Sequence, residues 1–235
     1  LLNKVVYLVG LGIPESDTLT LAGAAVLKRC KMIFSGGPGL YKQDFLSGFC
    51  PDVRRIKFEN DARDQVAEIR SKLNVFFAAA EGGGPIAFVT YAHAMFYDTA
   101  CEWIMEGCRQ RGLSYEVISG VSAIDAVFST LKQDLRHSDG VHAGDVEHFL
   151  GTQLDPKAYA LIFRSHVELS ATRKLFGACL RIYPKTHRVA FVRCENDPRL
   201  GEKVVWLELN DCRERVEELD HFTSVLIPPL RKGPL

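Results

Sequence analysis

The chain has 235 residues, 47% of them hydrophobic and 25% charged, the make-up of a globular protein with room for one large domain or two small ones. Lys plus Arg equals Asp plus Glu at 29 each, so the basic excess of a dedicated DNA binder is missing and no nucleic-acid partner is expected. No apolar run reaches the roughly 18 residues of a membrane span, and Leu1-Leu2-Asn3-Lys4 carries neither a signal-peptide pattern nor a Met, so a cytoplasmic chain trimmed at its start and without a membrane partner is expected.

The chain opens on Lys4-Val5-Val6-Tyr7-Leu8-Val9, a strand rich in β-branched residues, which ends in Gly10-Leu11-Gly12. Asp17-Thr18-Leu19-Thr20 then starts a helix with Leu21, Ala24, Ala25 and Leu27 at helical spacing. The glycine turn lacks the third glycine of the dinucleotide fingerprint, and no acidic residue closes a second strand about 20 residues on. It reads equally as a plain tight turn or as a ligand loop. A short strand over 31–34 runs into a loop containing Gly36, Gly37 and Gly39, and residues 53–58 alternate weakly as another strand. Helical periodicity returns over 62–80 through Val66, Ile69, Leu73, Phe76 and Phe77, and Gly82-Gly83-Gly84 terminates it. Pro85-Ile86-Ala87-Phe88-Val89-Thr90 is the continuous apolar run of a strand buried on both faces, and it stops at Tyr91-Ala92-His93-Ala94. A helix over 98–111, a strand over 115–118 and a helix through Leu131 complete a strand–helix alternation that marks an open, mostly parallel sheet.

The second half carries more strands per helix. Strands are predicted over 157–163, 187–192, 203–209 and 223–227, with helices over 170–183 and 210–219. The fold class expected is therefore α/β, with an N-terminal α/β domain over 1–119 and a mixed α/β domain with antiparallel pairing over 120–235. Seven cysteines, odd in number, scattered and without a C-x-x-C pair, are neither a zinc site nor a disulfide framework, and are expected as buried thiols in a reducing compartment. The histidines show no metal-helix spacing, so no metal is assigned.

In an open parallel sheet, ligands lie beyond the carboxyl ends of the strands. Three such ends stand out. Gly10-Leu11-Gly12 offers backbone N–H groups, residues 91–94 offer the Tyr91 phenol and the His93 imidazole, and Ser119-Gly120-Val121-Ser122 offers hydroxyls. Arg63 falls in the first turn of its helix, where the dipole disfavours a cation, which hints at a ligand role. An interface aromatic, a cap residue and a surface ion pair are the structural alternatives for Tyr91, His93 and Arg63.

The order of these segments resembles the tetrapyrrole methylase superfamily, the class III methyltransferases dependent on S-adenosylmethionine (SAM). Val6-Tyr7-Leu8-Val9-Gly10-Leu11-Gly12 is similar to that family's opening strand and turn. Residues 86–96 are similar to its fourth strand and loop, and Tyr115-Glu116-Val117-Ile118-Ser119-Gly120-Val121-Ser122-Ala123 to its crossing into the second domain. Cys194-Glu195-Asn196-Asp197-Pro198 resembles its late hairpin. Within the family, Tyr91-Ala92-His93-Ala94, Arg63-Asp64-Gln65 and the run 223–229 look closest to the borosin-type peptide backbone N-methyltransferases, whose loop reads Y-G-H-P. That branch has a tyrosine where this chain has Ala67, and another where it has Lys57 and Phe58.

The resemblance implies SAM held between two α/β domains. Its expected contacts are Gly10, Leu11, Gly12, Tyr91, Ala92, His93, Ala94, Ser122, Phe163 and Arg164. Tyr91, Arg63 and His93 are the expected catalytic or positioning groups. The leading expectation is N-methylation of a peptide or small natural-product substrate by a homodimer. A tetrapyrrole methylase is the alternative, with Arg54, Arg55, Lys57 and Arg164 meeting substrate carboxylates. A catalytically silent binding subunit is a third.

Overall fold

The computed structural model describes residues 5–36, 43–58, 65–195 and 203–230. The chain divides into two compact units, Leu1–Ala123 and Ile124–Leu235.

The first unit is built on β1 (Val5–Gly10), β2 (Met32–Gly36), β3 (Val53–Ile56), β4 (Ile86–Thr90) and β5 (Ser114–Ile118), in the order β3-β2-β4-β1-β5. Every pairing is parallel, with Val9 of β1 flanked by Val89 and Ile118. Alternate residues feed two cores. Val6, Leu8, Phe34, Ile86 and Phe88 point to one face, and Val9, Ile33, Ala87 and Val89 to the other. On the first face lie α5 (Asn74–Glu81) and α6 (Thr99–Arg111), through Phe76, Phe77, Cys101, Ile104 and Cys108. On the second lie α2 (Leu21–Leu27) and α3 (Gln43–Ser47), through Val26, Leu27 and Leu46. With both faces covered, β4 is buried along its whole length, as its unbroken apolar run requires. The short α1 (Glu15–Thr18) precedes α2, and α4 (Gln65–Lys72) precedes α5.

Three local expectations are corrected. Leu21, placed at helical spacing with Ala24, Ala25 and Leu27, is 91% exposed, because Gly23, Val26 and Leu27 form the inward face of α2. The single helix predicted over 62–80 is two, α4 and α5, meeting at Leu73. Residues 40–52, where the sequence predicts no element, contain α3.

The second unit begins one residue into α7 (Ala123–Leu131) and forms a mixed sheet from β6 (Val141–Asp145), β7 (Tyr159–Phe163), β8 (Arg188–Arg193), β9 (Val204–Glu208) and β10 (Thr223–Ile227). The order is β6-β7-β10-β8-β9, with β6 and β7 parallel and the other pairs antiparallel. One core packs α8 (Val146–Gly151) and α9 (Leu169–Cys179) on the sheet through Phe149, Leu175, Phe176, Ile162, Phe191 and Val225. The helix predicted over 210–219 shrinks to one turn, α10 (Leu209–Cys212), followed by a 3-10 turn at Val216–Glu218. Only Cys212, Val216 and Leu219 of that run are buried, too few for a continuous apolar face.

All seven cysteines are free and buried. Burial pushes the thiols of Cys30, Cys179 and Cys212 up to about 12 and those of Cys108 and Cys194 up to about 11, which suits packing and not nucleophilic work. Among the described residues, no helix is long and apolar enough to cross a membrane.

Candidate active site

The three strand ends singled out in the sequence meet in the first unit. Leu11 N–H donates to the Thr90 carbonyl at 2.9 Å, and Gly12 N–H to the Ala92 carbonyl at 3.0 Å. Ala92 N–H returns a bond to the Gly12 carbonyl at 3.3 Å, so a small antiparallel bridge fastens the glycine turn to the loop after β4. The crossing after β5 closes on the same spot. A Cβ on Gly120 would lie 2.2 Å from the Ala92 carbonyl oxygen and 2.6 Å from that of Gly10, and one on Gly10 would lie 2.5 Å from the Ala92 oxygen. Glycine is needed at both positions because three backbones converge there. Gly12 is needed for a second reason, its φ of +83°. The atoms crowding these glycines belong to the chain itself.

Two side chains tie the helices to this junction. Thr20 accepts the Gly23 N–H at 3.1 Å as N-cap of α2 and donates to the Ser119 carbonyl at 3.2 Å. Asp98 caps α6, accepting the Cys101 N–H at 2.8 Å, and its other oxygen accepts the Thr90 hydroxyl at the end of β4. Neither residue is among those that the sequence singles out for the site. Asp98 immediately before the amphipathic run 99–111 is the N-cap pattern that sequence offers for it.

Within the loop, Ala92 sits at φ +58°, in the left-handed region that favours glycine. His93 Nδ1 accepts the Met95 N–H at 3.0 Å, so in the neutral ring the proton rests on Nε2. Tyr91, His93 and Ser122 are half-buried, while Ala92 and Ala94 are buried. Gly10, Leu11, Gly12, Ala92 and His93 are thus brought together, with Tyr91 and Ala94 on the same loop and Ser122 two residues beyond Gly120. Arg63 lies outside the described residues, as do Asp64 and the 196–201 part of the late hairpin.

Phe163 and Arg164 stand at the carboxyl end of β7 in the second unit, Phe163 buried and Arg164 exposed at φ +54°. Ser165 follows, fully buried, its carbonyl accepting the Thr172 hydroxyl at 2.7 Å. Its own hydroxyl and His166 Nδ1 are buried and find no hydrogen-bond partner among the described residues. The rings of His166 and His221 lie 5.2 Å apart, edge to face. Burial lowers the pKa of both, and the Arg164 cation adds to the effect. The sequence had pointed to Phe163 and Arg164 but not to this pair, because His221 lies on another loop.

The architecture has known counterparts. A family model described as tetrapyrrole (corrin/porphyrin) methylases matches residues 5–194. The chain belongs to the tetrapyrrole methylase family. It is a SAM-dependent methyltransferase with the two-domain class III fold. Among solved structures, uroporphyrin-III C-methyltransferase from Thermus thermophilus superposes with a TM-score of 0.71 at 20% identity, covering 95% of this chain and 91% of that one. A cobalt precorrin-4 methyltransferase of cobalamin biosynthesis matches with a TM-score of 0.71 at 17% identity, covering 96% and 95%. The Thermus thermophilus enzyme in complex with S-adenosylhomocysteine matches at 0.69 and 16%, covering 95% and 91%. At these identities the likeness shows the fold. No curated protein matches the sequence.

These findings correct the finer expectation. They place the chain among tetrapyrrole methylases and give no support to the borosin-type branch, to peptide or natural-product N-methylation, or to a peptide partner. The chemistry agrees. An amide nitrogen is a very poor nucleophile, and this chain has Ala67, Lys57 and Phe58 where that branch keeps phenols to activate it. The SAM-binding expectation fits the residues present. The first unit offers the half-buried polar side chains of Tyr91, His93 and Ser122, groups suited to an uncharged nucleoside and a polar tail.

Proposed function

We propose that this methylase transfers the SAM methyl group to a carbon of a carboxylated tetrapyrrole. The match of residues 5–194 to the tetrapyrrole methylases carries this reading. SAM supplies an electrophilic methyl group, and transfer joins that carbon to the substrate while the C–S electron pair stays on sulfur. An electron-rich ring carbon needs alignment in a dry site more than it needs a strong base. The short list of polar groups around Tyr91 and His93 meets that need. Gly10, Leu11, Gly12, Tyr91, Ala92, His93, Ala94 and Ser122, with Phe163 and Arg164, hold the cofactor. Tyr91 and His93 position the acceptor, and Arg63, which lies outside the described residues, is assigned to the same role.

Substrate carboxylates call for cations. Arg54 is committed to Asp52 through two contacts of 3.0 Å, whereas exposed Arg55 and Lys57, at and beyond the edge strand β3, have no acidic partner among the described residues. Arg55, Lys57 and Arg164 are therefore the carboxylate-binding candidates. Seven buried thiols support residence in a reducing cytoplasm, and a homodimer remains part of the proposal.

Titration calorimetry with SAM and S-adenosylhomocysteine is the first test, with micromolar binding of both expected. Incubation with SAM and uroporphyrinogen III, followed by mass spectrometry, should then show methyl gain that falls at least tenfold in Tyr91→Phe. Absence of binding to both nucleosides overturns the proposal. Methylation unchanged in Tyr91→Phe and Arg63→Ala removes those two residues from the site.

A further inference from the structure

The helical face of the second unit holds a concavity of about 600 Å³, a size typical of small-molecule sites, which run from roughly 300 to 1,000 Å³. Four of its walls are cations, Arg173, Lys174, Arg181 and Arg213, and none of the residues lining it is acidic. Arg173 is paired with Glu217. Lys174, Arg181 and Arg213 are exposed and have no acidic partner among the described residues. The floor between them is apolar, made by Phe149, Leu154 and Ile182 with half-open Leu150 at the rim.

The helix that forms one wall is shaped for the cavity. Arg173, Gly177 and Arg181 recur every fourth residue, so α9 and its last turn present cation, gap, cation along one line. Gly177 is interior to α9, where glycine costs about 1 kcal/mol relative to alanine. A Cβ there would meet nothing within 4 Å, so no internal packing demands glycine at this position. Its absence of side chain leaves the space that the concavity occupies. Three of the four cations, Lys174, Arg181 and Arg213, have no acidic partner among the described residues, and an anionic ligand with an apolar body would relieve that imbalance while covering the floor.

We propose that this concavity is a second binding site for a polycarboxylate with an apolar ring body, of the chemical class of a carboxylated tetrapyrrole. The choice of tetrapyrrole rests on the function proposed above, whereas the preference for an apolar polyanion rests on the cavity alone. Such a site lets substrate- or product-class molecules be held by the second unit independently of methyl transfer.

The test uses coproporphyrin III, a fluorescent tetracarboxylate, titrated by anisotropy into the full chain at low and high salt. Three proteins are compared: wild type, Lys174→Glu/Arg181→Glu, and Gly177→Phe, which fills the cavity without touching a charge. The open space at Gly177 means that the last variant keeps its helix, which circular dichroism checks. The expected result is binding weakened at least tenfold in both variants and weakened by salt in wild type, with SAM binding unchanged. Failure of wild type to bind, or equal affinity in all three proteins, overturns the proposal. If methylation of uroporphyrinogen fails while the variants still lose porphyrin binding, the function above falls and this site stands.

Discussion

Ala92 is the most constrained residue of the site. Its φ of +58° costs a side-chain-bearing residue roughly 1–2 kcal/mol, yet its two backbone bonds to Gly12 hold it there. Ala92→Gly is therefore expected to stabilise the protein by about 1 kcal/mol, read as a raised midpoint in urea unfolding. Gly120→Ala should do the reverse, because its Cβ would sit 2.2 Å from the Ala92 oxygen. A loss of about 1–3 kcal/mol is expected, with SAM affinity at least tenfold weaker by calorimetry. The sequence left the Gly10-Leu11-Gly12 turn open between a plain tight turn and a ligand loop, and placed Gly120 in the crossing after β5. Glycine spacing signals a tight backbone, and only the assembled strand ends show that each one makes room for another part of the same chain.

At the scale of elements, α6 shows how a cap serves both a helix and a site. Asp98 satisfies an orphan N–H at the helix start and takes the Thr90 hydroxyl at the end of β4, while Gly112 in the left-handed conformation closes the other end. Asp98→Ala should lose about 1–2 kcal/mol of stability in chemical denaturation. Asp98→Asn should recover part of it, since the amide oxygen still caps. The periodic elements were legible: β4, α6 and β10 lie close to their expected bounds because an apolar run or stripe defines each. The edge strand β6 and α8 were missed, since Val-His-Ala-Gly-Asp has no alternation for a half-exposed edge to display. The run 210–219 failed for the opposite reason, as charged residues with good helix propensity lacked an apolar stripe to dock.

Across the whole molecule, ionisation sets a window of stability. Burial lowers the pKa of His166, His187 and His221 below the ordinary 6.5, so below that pH the unfolded chain takes up protons that the folded chain declines. Their contribution is present above about 6.5 and is lost as pH falls. The buried thiols act at the other limit. Raised from 9.0 to about 11 or 12, they leave stability intact below 9.0 and erode it as pH rises further, because the unfolded chain deprotonates first. Unfolding free energy measured by urea titration should be flat from about pH 6.5 to 9 and fall on both sides, with a shallower acid limb in His166→Gln/His221→Gln. The two sheets also differ in when they can form. The first is complete once β5 has been made, each strand lying within the first 118 residues. In the second, β10 sits at the centre, bonded to β7 on one side and β8 on the other. During synthesis the half carrying the glycine junction can fold early, while β6 to β9 wait as two separate pairs for residues 223–227 to arrive and join them. A ribosome stalled or a chain cut shortly before Thr223 would release a protein with one finished unit and one open, aggregation-prone sheet.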